Sequence, residues 1–445
     1  MKKNRTEKSV CFYFQVHQPV RLSKFSFFDI EEKPKYDYFN GLAPYNNEFY
    51  IRKVANKCYY PTNDLLDELL QDYPEFKCAF SISGVALEQF QKFDPNIIAS
   101  FKQLVDSKKV ELLNETYYHS LSFLYSKQEF AEQIGLHRQL IWKLFRRKPK
   151  IFRNTELIYN NEIGNFVRLL GFKGILAEGW DHYLKGRSPN NVYKAPGINT
   201  PDSDKDVAER YRFGTSVPRK ISLLLKNYKL SDDIAFRFSD KSWKEYPLMV
   251  EKFVDWVEAS QGKTVNLFMD FETFGEHQWA DSGIFNFMRS LPKELLKRGI
   301  SFRTPSETIT DFEPVEEIDM HNLVSWADME RDVSAWLGNK MQNEAARRIY
   351  EIEGQVRQMK DIVHDRELTD NIFNTWRKLQ TSDHFYYMST KYWSDGDIHT
   401  YFSPYDSPYD AYINYMNILS DFSLELDKVA SVKTAHERKQ RVPAH

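Results

Sequence analysis

The chain has 445 residues, of which 42% are hydrophobic and 28% are charged, so it is long enough for one large domain and a smaller one. Its formal net charge of −2 gives no electrostatic reason to expect nucleic acid or an anionic membrane as a partner. The three scattered cysteines, Cys11, Cys58 and Cys78, are too few for a disulfide framework or a zinc ribbon. Cys11 and Cys78 lie in apolar runs, which predicts buried thiols.

The N-terminal region is predicted to be a strand and not a targeting segment. The apolar run at residues 10–16 is short and ends in His17-Gln18-Pro19 instead of a small-residue cleavage site. No stretch of the sequence approaches the roughly 20 apolar residues of a membrane span. We therefore expect a cytoplasmic protein.

Short apolar runs alternate with helical segments over residues 1–315. The runs predicted as strands are residues 10–16, 76–82, 110–113, 151–153, 174–177, 234–238 and 265–269, with a further candidate at 300–303. This alternation predicts an α/β fold with a mostly parallel sheet, and the number of strands favours a TIM-like barrel over an open sheet. Residues 185–217 are rich in Gly, Pro, Asn and Asp and are predicted to form a long loop, which in a compact domain is often functional.

The pattern becomes helical after about residue 319. The apolar residues Ala345, Ile349, Ile352, Val356, Met359 and Val363 follow a 4-3-4-3-4 spacing, which predicts one helix with a narrow apolar seam. Similar seams at residues 368–379 and 412–429 predict two more helices, and such spacing is typical of a bundle. The expected organisation is a barrel domain at 1–315, a helical domain at 316–430 and a flexible tail at 431–445.

Polar residues gather where the predicted strands end. The clusters contain Gln15 and His17 after the first strand, Glu115 and His119 after the third, Arg153 and Glu156 after the fourth, Glu178 and Trp180 after the fifth, and Asp270, Glu272, Glu276 and His277 after the last. Active sites of β/α barrels lie at the carboxyl ends of the strands, and burying many acids and imidazoles is costly unless they are paired or used. Glu156 and Asp270 are carboxylates on two strands of one barrel, which suggests a glycosidase.

Several of these segments resemble the ordered motifs of glycoside hydrolase family 57, most closely its α-amylase branch. They are HQP at residues 17–19, FRNTELIY at 152–159, DFETFGEH at 270–277 and AWLGN at 335–339, while ELLNET at 111–116 resembles the remaining motif. The family also contains 4-α-glucanotransferases and branching enzymes. The resemblance implies an incomplete barrel of seven β/α units followed by a helical domain. It also implies a retaining mechanism with Glu156 as the nucleophile and Asp270 as the general acid/base.

The retaining mechanism sets requirements for both carboxyl groups. One attacks the anomeric carbon while the other protonates the leaving oxygen, with the two groups about 5–5.5 Å apart. Glu156 must be ionised at rest, and we expect Arg153 to stabilise its charge. Asp270 must be protonated at rest, which repulsion from Glu272 or Glu156 would favour.

Further residues are candidates for substrate binding. The resemblance implies that His17, Glu115 and His277 bond sugar hydroxyls. The other candidates are His119, Trp180 as a stacking ring, Glu272, Trp336 as a cap over the cleft, and His384 reaching the site from the helical domain. A structural histidine that ends the strand is the alternative for His17, and core packing is the alternative for Trp180 and His384.

The leading hypothesis is an α-amylase that acts on the α-1,4 bonds of starch, glycogen or maltodextrin and needs no metal or cofactor. A 4-α-glucanotransferase or an α-glucan branching enzyme would use the same site. Two alternatives belong to other classes. One is a metal-dependent hydrolase with ligands from His17, His119, His277 and Asp270, and the other is a non-catalytic glucan-binding relative. The sequence predicts no oligomeric state.

Overall fold

The chain forms two compact units. The computed structural model describes residues 8–34, 36–42, 46–391 and 403–440. The first unit contains Met1–Gln18, Tyr50–Tyr117 and Lys127–Ala327, and the second contains Pro19–Phe49, Tyr118–Ser126 and Asp328–His445. The second unit therefore includes two segments that come, in the sequence, between parts of the first. The domain boundary predicted at residue 315 stays a prediction.

The described residues of the first unit contain nine strands, and seven parallel strands among them form the barrel. The strands are β1 (Ser9–Val16), β2 (Cys78–Ile82), β3 (Val110–Leu112), β4 (Ile151–Arg153), β5 (Gly174–Glu178), β6 (Val192–Lys194), β7 (Ser222–Lys226), β8 (Thr264–Asp270) and β9 (Ser301–Phe302). The parallel strands are ordered β8-β1-β2-β3 and β4-β5-β7, and a parallel bridge between Asn114 and Phe152 joins the two sets. β6 pairs antiparallel with β7, and β9 pairs with the start of β1. The predicted incomplete (β/α)7 barrel with a helical C-terminal region is confirmed.

Helices surround the strands of the barrel. Those before residue 312 are α1 (Asn47–Val54), α2 (Tyr60–Asp72), α3 (Gly84–Phe93), α4 (Pro95–Asp106), α5 (Lys127–Phe145), α6 (Asn161–Leu169), α7 (Asp181–Leu184), α8 (Asp202–Tyr211), α9 (Tyr228–Ala235), α10 (Val250–Ala259), α11 (Ile284–Lys297) and α12 (Pro305–Asp311). Several begin at a side chain that accepts a hydrogen bond from a free N–H of the first turn, as Ser83 does for α3 and Asn160 for α6. All eight residues of β1 are buried, because helices cover the outer face of a parallel barrel.

Helix α9 follows β7 and packs along β8. Asn227 N donates to Asn266 O at 2.9 Å, Phe268 N donates to the hydroxyl of Ser231 at 3.2 Å, and Gln278 Nε2 donates to Ala235 O at 2.9 Å. These three contacts advance along both segments together, so α9 runs alongside β8 in the same direction. The helix therefore ends at the carboxyl end of the barrel.

The predicted sixth strand at residues 234–238 is wrong. These residues form the end of α9 and the turn after it. The side chain of Asn227 caps the start of α9. Leu230 and Ile234 are buried one helical turn apart, whereas Phe236 is 53% exposed, so the apparent alternation is one face of a helix. The true sixth parallel strand is β7, whose residues are all buried.

The segment at 185–217, predicted as a long loop, contains regular structure. It includes β6, which forms an antiparallel pair with β7, and the helix α8. The short strand β9 lies within the further candidate at 300–303; it pairs parallel with the start of β1 but is not one of the seven barrel strands.

The second unit is mainly helical. Its later helices are α13 (Ser334–Leu337), α14 (Lys340–Glu351), α15 (Glu353–Ile362), α16 (Arg366–Lys378), α17 (Ser382–Tyr386) and α18 (Pro408–Gln440). The single helix predicted from the seam at 345–363 is two helices, since the chain breaks at Ile352 with φ −79° and ψ 0°. Helix α18 continues into the segment 431–445, where a flexible tail was predicted, and residues 441–445 lie outside the described residues.

Two further properties concern the chain as a whole. Cys11, Cys58 and Cys78 are buried free thiols, which confirms the burial predicted for two of them. Among the described helices, none is both long enough and apolar enough to cross a membrane.

Candidate active site

The inside of the barrel changes from apolar to polar towards the carboxyl ends of the strands. Successive residues of a strand face opposite sides, and the inward cluster takes one apolar side chain from each parallel strand: Tyr13, Ala79, Leu113, Ile151, Leu176, Leu224 and Phe268. Two residues further along, the next inward positions hold Gln15, Ser81, Glu115, Arg153, Glu178, Lys226 and Asp270. This polar ring lies at the end of the barrel where enzymes of this architecture place their active sites.

Tyr13 lies below the polar ring and contacts several of its members. Its hydroxyl donates to Gln15 Oε1 at 2.7 Å and lies 2.6 Å from the hydroxyl of Ser81. Burial raises the pKa of the Tyr13 hydroxyl, the guanidinium of Arg153 opposes this, and the carboxylates of Glu115 and Asp270 add to it. Side chains from β4, from the end of β3 and from β8 therefore act on one hydroxyl group.

Glu156 follows β4 in an unusual backbone conformation. It has φ 56° and ψ 29° inside a short 3-10 turn, which an L-residue adopts at an energetic cost and which is common at functional sites. Its Oε2 accepts a 2.7 Å hydrogen bond from Nε1 of Trp326, and its carbonyl accepts one from the hydroxyl of Ser325 at 2.9 Å. Both side-chain and main-chain contacts thus fix a partly exposed carboxylate.

Two cations lie next to the ring of Trp326. The guanidinium carbon of Arg153 is 4.9 Å from the ring centroid and Nζ of Lys226 is 5.2 Å from it. Lys226 is almost completely buried and donates to Asp232 Oδ1 at 2.9 Å. Arg153 is fully buried, and its three guanidinium nitrogens make no hydrogen bond within the described residues. Arg153 therefore makes no direct hydrogen bond to Glu156, and the stabilisation of the Glu156 charge by Arg153 stays a prediction.

Asp270 and Glu272 form a coupled acidic pair at the end of β8. Asp270 pairs in register with Gln15 of β1 and is partly exposed. Burial raises the pKa of Glu272 to about 8, and the nearby carboxylate of Asp270 contributes to the increase. Tyr59 donates to Glu272 Oε1 at 2.5 Å and Gln18 donates to the same oxygen at 3.3 Å. Glu272 therefore retains its proton near neutral pH.

The loop after Glu272 is held by ion pairs to two lysines and by a backbone hydrogen bond. Its Glu276 accepts a hydrogen bond from Lys53 at 2.5 Å, with Lys57 a second cation at 3.6 Å. The backbone N–H of His277 donates to Glu272 O at 2.9 Å. Burial lowers the pKa of His277 to about 4, against the opposing effect of the Glu276 carboxylate. The imidazole is therefore neutral at physiological pH.

Two other predicted residues follow β1 and β3, the strands on either side of β2. His17 follows β1, and its Nδ1 lies 2.7 Å from the hydroxyl of Ser83. Glu115 is fully buried and accepts a hydrogen bond from Gln15 at 3.3 Å, while its backbone N–H faces Nδ1 of His137 at 3.4 Å. These contacts orient both side chains at the carboxyl end of the barrel.

Trp180 lies just after β5 and is half-buried. Its ring stacks on His182 with a centroid distance of 4.8 Å and meets Tyr183 edge-on at 5.9 Å. Its role in stacking on a sugar stays a prediction.

The remaining predicted residues, His119, Trp336 and His384, belong to the second unit. His119 accepts a backbone hydrogen bond from Ser382 at 3.0 Å, and Nε2 of His384 lies 3.1 Å from Lys378 O. All three are buried. Their roles in substrate binding stay predictions.

Sequence reasoning missed two residues of the site. Trp326 lies outside the motifs and has no local pattern that would mark it. Lys226 ends the strand that was missed, although the run ISLLLK at 221–226 has the length and composition of a buried strand with a polar end. Among the described residues, no three His, Cys, Asp or Glu side chains are grouped as metal ligands, so the ligand set imagined from His17, His119, His277 and Asp270 is not assembled.

A barrel whose polar end carries two partly exposed carboxylates on different strands has the layout of a carboxylate-dependent glycosidase. The sequence model of Glycosyl hydrolase family 57 matches residues 11–321. The chain belongs to this family of glycoside hydrolases.

One relative is similar in sequence over most of the chain, and two solved structures are similar in fold. The chain is 42% identical over 417 residues to a protein of Methanocaldococcus jannaschii described as "Putative alpha-amylase", covering 93% of this chain and 84% of the relative. The fold is similar to that of a branching enzyme of Pyrococcus horikoshii, with TM-score 0.64, 15% identity and coverage of 93% and 88% of the two chains. It is also similar to a 4-alpha-glucanotransferase of Thermococcus litoralis, with TM-score 0.59, 15% identity and coverage of 85% and 56%.

Proposed function

We propose that the protein is an α-amylase that cleaves α-1,4-glucosidic bonds of starch, glycogen or maltodextrin with retention of configuration. Glu156 is the nucleophile and Asp270 is the general acid/base. The observation that carries this assignment is the carboxylate of Glu156, which follows β4 and is fixed by Trp326, the ring that also lies beside Arg153 and Lys226 of the polar ring to which Asp270 belongs. The 42% identity to the relative from Methanocaldococcus jannaschii supports the choice of substrate.

The first half of the reaction breaks the glycosidic bond. One oxygen of Glu156 is held by the indole N–H of Trp326, and the other attacks the anomeric carbon. Asp270 transfers its proton to the glycosidic oxygen as the carbon–oxygen bond breaks, which releases the leaving sugar and leaves a glycosyl ester on Glu156. The protonation of Asp270 at rest is part of this proposal, and the raised pKa beside it is that of Glu272, at about 8.

The second half releases the remaining sugar. Asp270, now ionised, removes a proton from water as the water attacks the anomeric carbon, and Glu156 leaves as a carboxylate. If the hydroxyl of a second glucan attacks instead of water, the same steps give a 4-α-glucanotransferase or a branching enzyme.

The test is incubation with maltoheptaose, with products and new reducing ends followed over time. We expect shorter chains and new reducing ends from the wild type, and losses of several orders of magnitude for Glu156→Gln and Asp270→Asn. Glu75→Gln, at an exposed position, is the matched control and should behave as the wild type.

Other outcomes would contradict parts of the proposal. Redistribution into longer and shorter chains without new reducing ends would make the enzyme a transferase that uses the same site. Activity that a chelator removes would favour a metal-dependent hydrolase. Binding of amylose with no turnover, unaffected by Glu156→Gln, would identify a glucan-binding relative without catalysis.

A further inference from the structure

Two aromatic rings are exposed where the structure brings together the end of α9 and the loop that follows the Asp270–Glu272 pair. Phe236 directly follows α9 and is 53% exposed, and Trp279 is 60% exposed. Their chain neighbours are hydrogen-bonded to each other, since Gln278 Nε2 donates to Ala235 O at 2.9 Å. The two rings therefore stand on adjacent backbone segments at the carboxyl end of the barrel.

The position of Trp279 is defined by a tight loop. Gly275 N donates to Gln278 O at 2.8 Å and Gln278 N donates to Thr273 O at 3.0 Å. The ion pair of Lys53 with Glu276 holds the same loop to α1. Nζ of Lys57 lies 5.8 Å from the centroid of the Trp279 ring. The ring is thus presented to solvent from a fixed support.

The exposure of Trp279 contrasts with the rest of its loop. Phe271 and Phe274 are buried against the core, as is expected for large apolar side chains. Contiguous exposed apolar surface often marks a binding site, and these two exposed rings stand on segments that are hydrogen-bonded to each other. Aromatic faces also suit the apolar C–H faces of glucose rings, and such contacts need no charge on the ligand.

We propose that Phe236 and Trp279 form an outer subsite that stacks on glucose units of an α-glucan, away from the bond that is cleaved, and so sets the preference for chain length. This inference rests on the proposed function, because the glucan that occupies the subsite extends from the site of Glu156 and Asp270. Contacts to sugar units remote from the reaction supply binding energy that the reacting centre can use. Only a substrate long enough to reach the rings gains from them.

The experiment compares kcat/KM for maltotriose through maltoheptaose in the wild type, Trp279→Ala, Phe236→Ala and the double variant. Trp142→Ala is the matched control: Trp142 is also exposed, at 44%, and lies beside the cations Arg146 and Lys148, but it stands on the outer helix α5. We expect each single variant to lose about five- to tenfold for maltoheptaose, with little change for maltotriose. Trp279→Phe should restore part of the loss, and Trp142→Ala should leave the profile unchanged.

Binding measured in the Glu156→Gln background gives a second readout that does not need turnover. The affinity for maltoheptaose, but not for maltotriose, should fall on adding Trp279→Ala. An equal loss at every chain length, or no loss at any, would overturn the subsite while leaving the proposed function intact. If the wild type neither binds nor cleaves any of these oligosaccharides, the proposed function and the subsite are both overturned.

Discussion

The indole nitrogen of Trp326 donates a 2.7 Å hydrogen bond to Oε2 of Glu156, across 170 positions of the sequence. The same ring lies beside the buried cations Arg153 and Lys226. One side chain therefore links the proposed nucleophile to the positive charges of the polar ring. A hydrogen bond to a carboxylate favours its ionised form, which is the form that a nucleophile needs.

Trp326→Phe should separate this hydrogen bond from the packing of the ring. Phenylalanine keeps an aromatic ring beside Arg153 and Lys226 but has no N–H to donate. A hydrogen bond to a charged group contributes about 1.5–3 kcal/mol, so we expect kcat/KM to fall by about ten- to a hundredfold. The acid limb of the pH profile of kcat/KM should move to higher pH, because the ionised carboxylate loses a donor.

The control for this prediction is Trp142→Phe on the outer helix α5, which should change neither rate nor pH profile. A Trp326→Phe enzyme with an unchanged acid limb would show that the hydrogen bond does not serve the nucleophile. A fall in activity with an unchanged profile and a lower melting temperature would indicate a packing role only.

The sequence predicts the barrel well because parallel strands are buried on both faces and appear as separate apolar runs. It fails at the sixth strand because Ile234 and Phe238 lie four residues apart, a spacing that suits both a short alternating strand and a helix face. The side chain of Asn227, which caps α9, decides between the two. The error also hides Lys226, the polar residue that β7 contributes.

The candidate site also contains some residues that the sequence predicts and some contacts that it does not. Glu156 and Asp270 could be found because each lies at or shortly after the end of an apolar run and within a motif that resembles those of the family. The contact of Trp326 with Glu156 could not be found, since it depends on how distant segments pack and leaves no local pattern. The lack of a hydrogen-bonding partner for Arg153 within the described residues is likewise a property of the packed site.

Glu272→Gln should make the fold less sensitive to pH. Burial and Asp270 raise the pKa of Glu272 from 4.5 to about 8, so the folded state binds a proton more tightly than the unfolded chain. Its contribution to stability is fully present below pH 4.5 and is lost as the pH rises through about 8. The loss is on the order of a few kcal/mol. Glutamine keeps an oxygen acceptor for Tyr59 without a titrating proton and should flatten this decline.

The measurement is the free energy of unfolding by denaturant between pH 4 and 9, for the wild type, Glu272→Gln and the exposed control Glu75→Gln. The control should follow the wild type. If Glu272→Gln and the wild type decline in parallel over this range, Glu272 does not titrate with a raised pKa.

His277 should remain neutral well below the pH at which a free imidazole takes up a proton. Burial lowers its pKa from 6.5 to about 4, with Glu276 acting in the opposite direction. The NMR signal of the His277 imidazole, which is assigned because it is missing from the spectrum of His277→Gln, should therefore titrate near pH 4. Because the unfolded chain takes up the proton first, this group destabilises the fold as the pH falls from 6.5 towards 4. A titration midpoint between pH 6 and 7 would refute the neutral imidazole.

Gly275→Ala should disturb the loop that carries Glu276 and His277. Gly275 has φ 103°, and a Cβ there would collide with the carbonyl oxygen of Lys57. Gly186 has a similar φ of 85° with nothing within 4 Å of the added atom, so Gly186→Ala is a matched control for backbone strain alone. We expect about 1 kcal/mol of lost stability for Gly186→Ala, and about 1–3 kcal/mol more for Gly275→Ala from the collision.

The two glycine variants should differ in activity as well. Gly275→Ala displaces residues next to the Asp270–Glu272 pair and should lower kcat/KM for maltoheptaose by about tenfold or more, whereas Gly186→Ala should leave it unchanged. Denaturant unfolding and steady-state kinetics on the same preparations measure both effects. Equal losses of stability in the two variants would mean that the loop moves away from Lys57 at little cost. Unchanged activity in Gly275→Ala would then show that the reaction does not depend on the placement of Glu276 and His277.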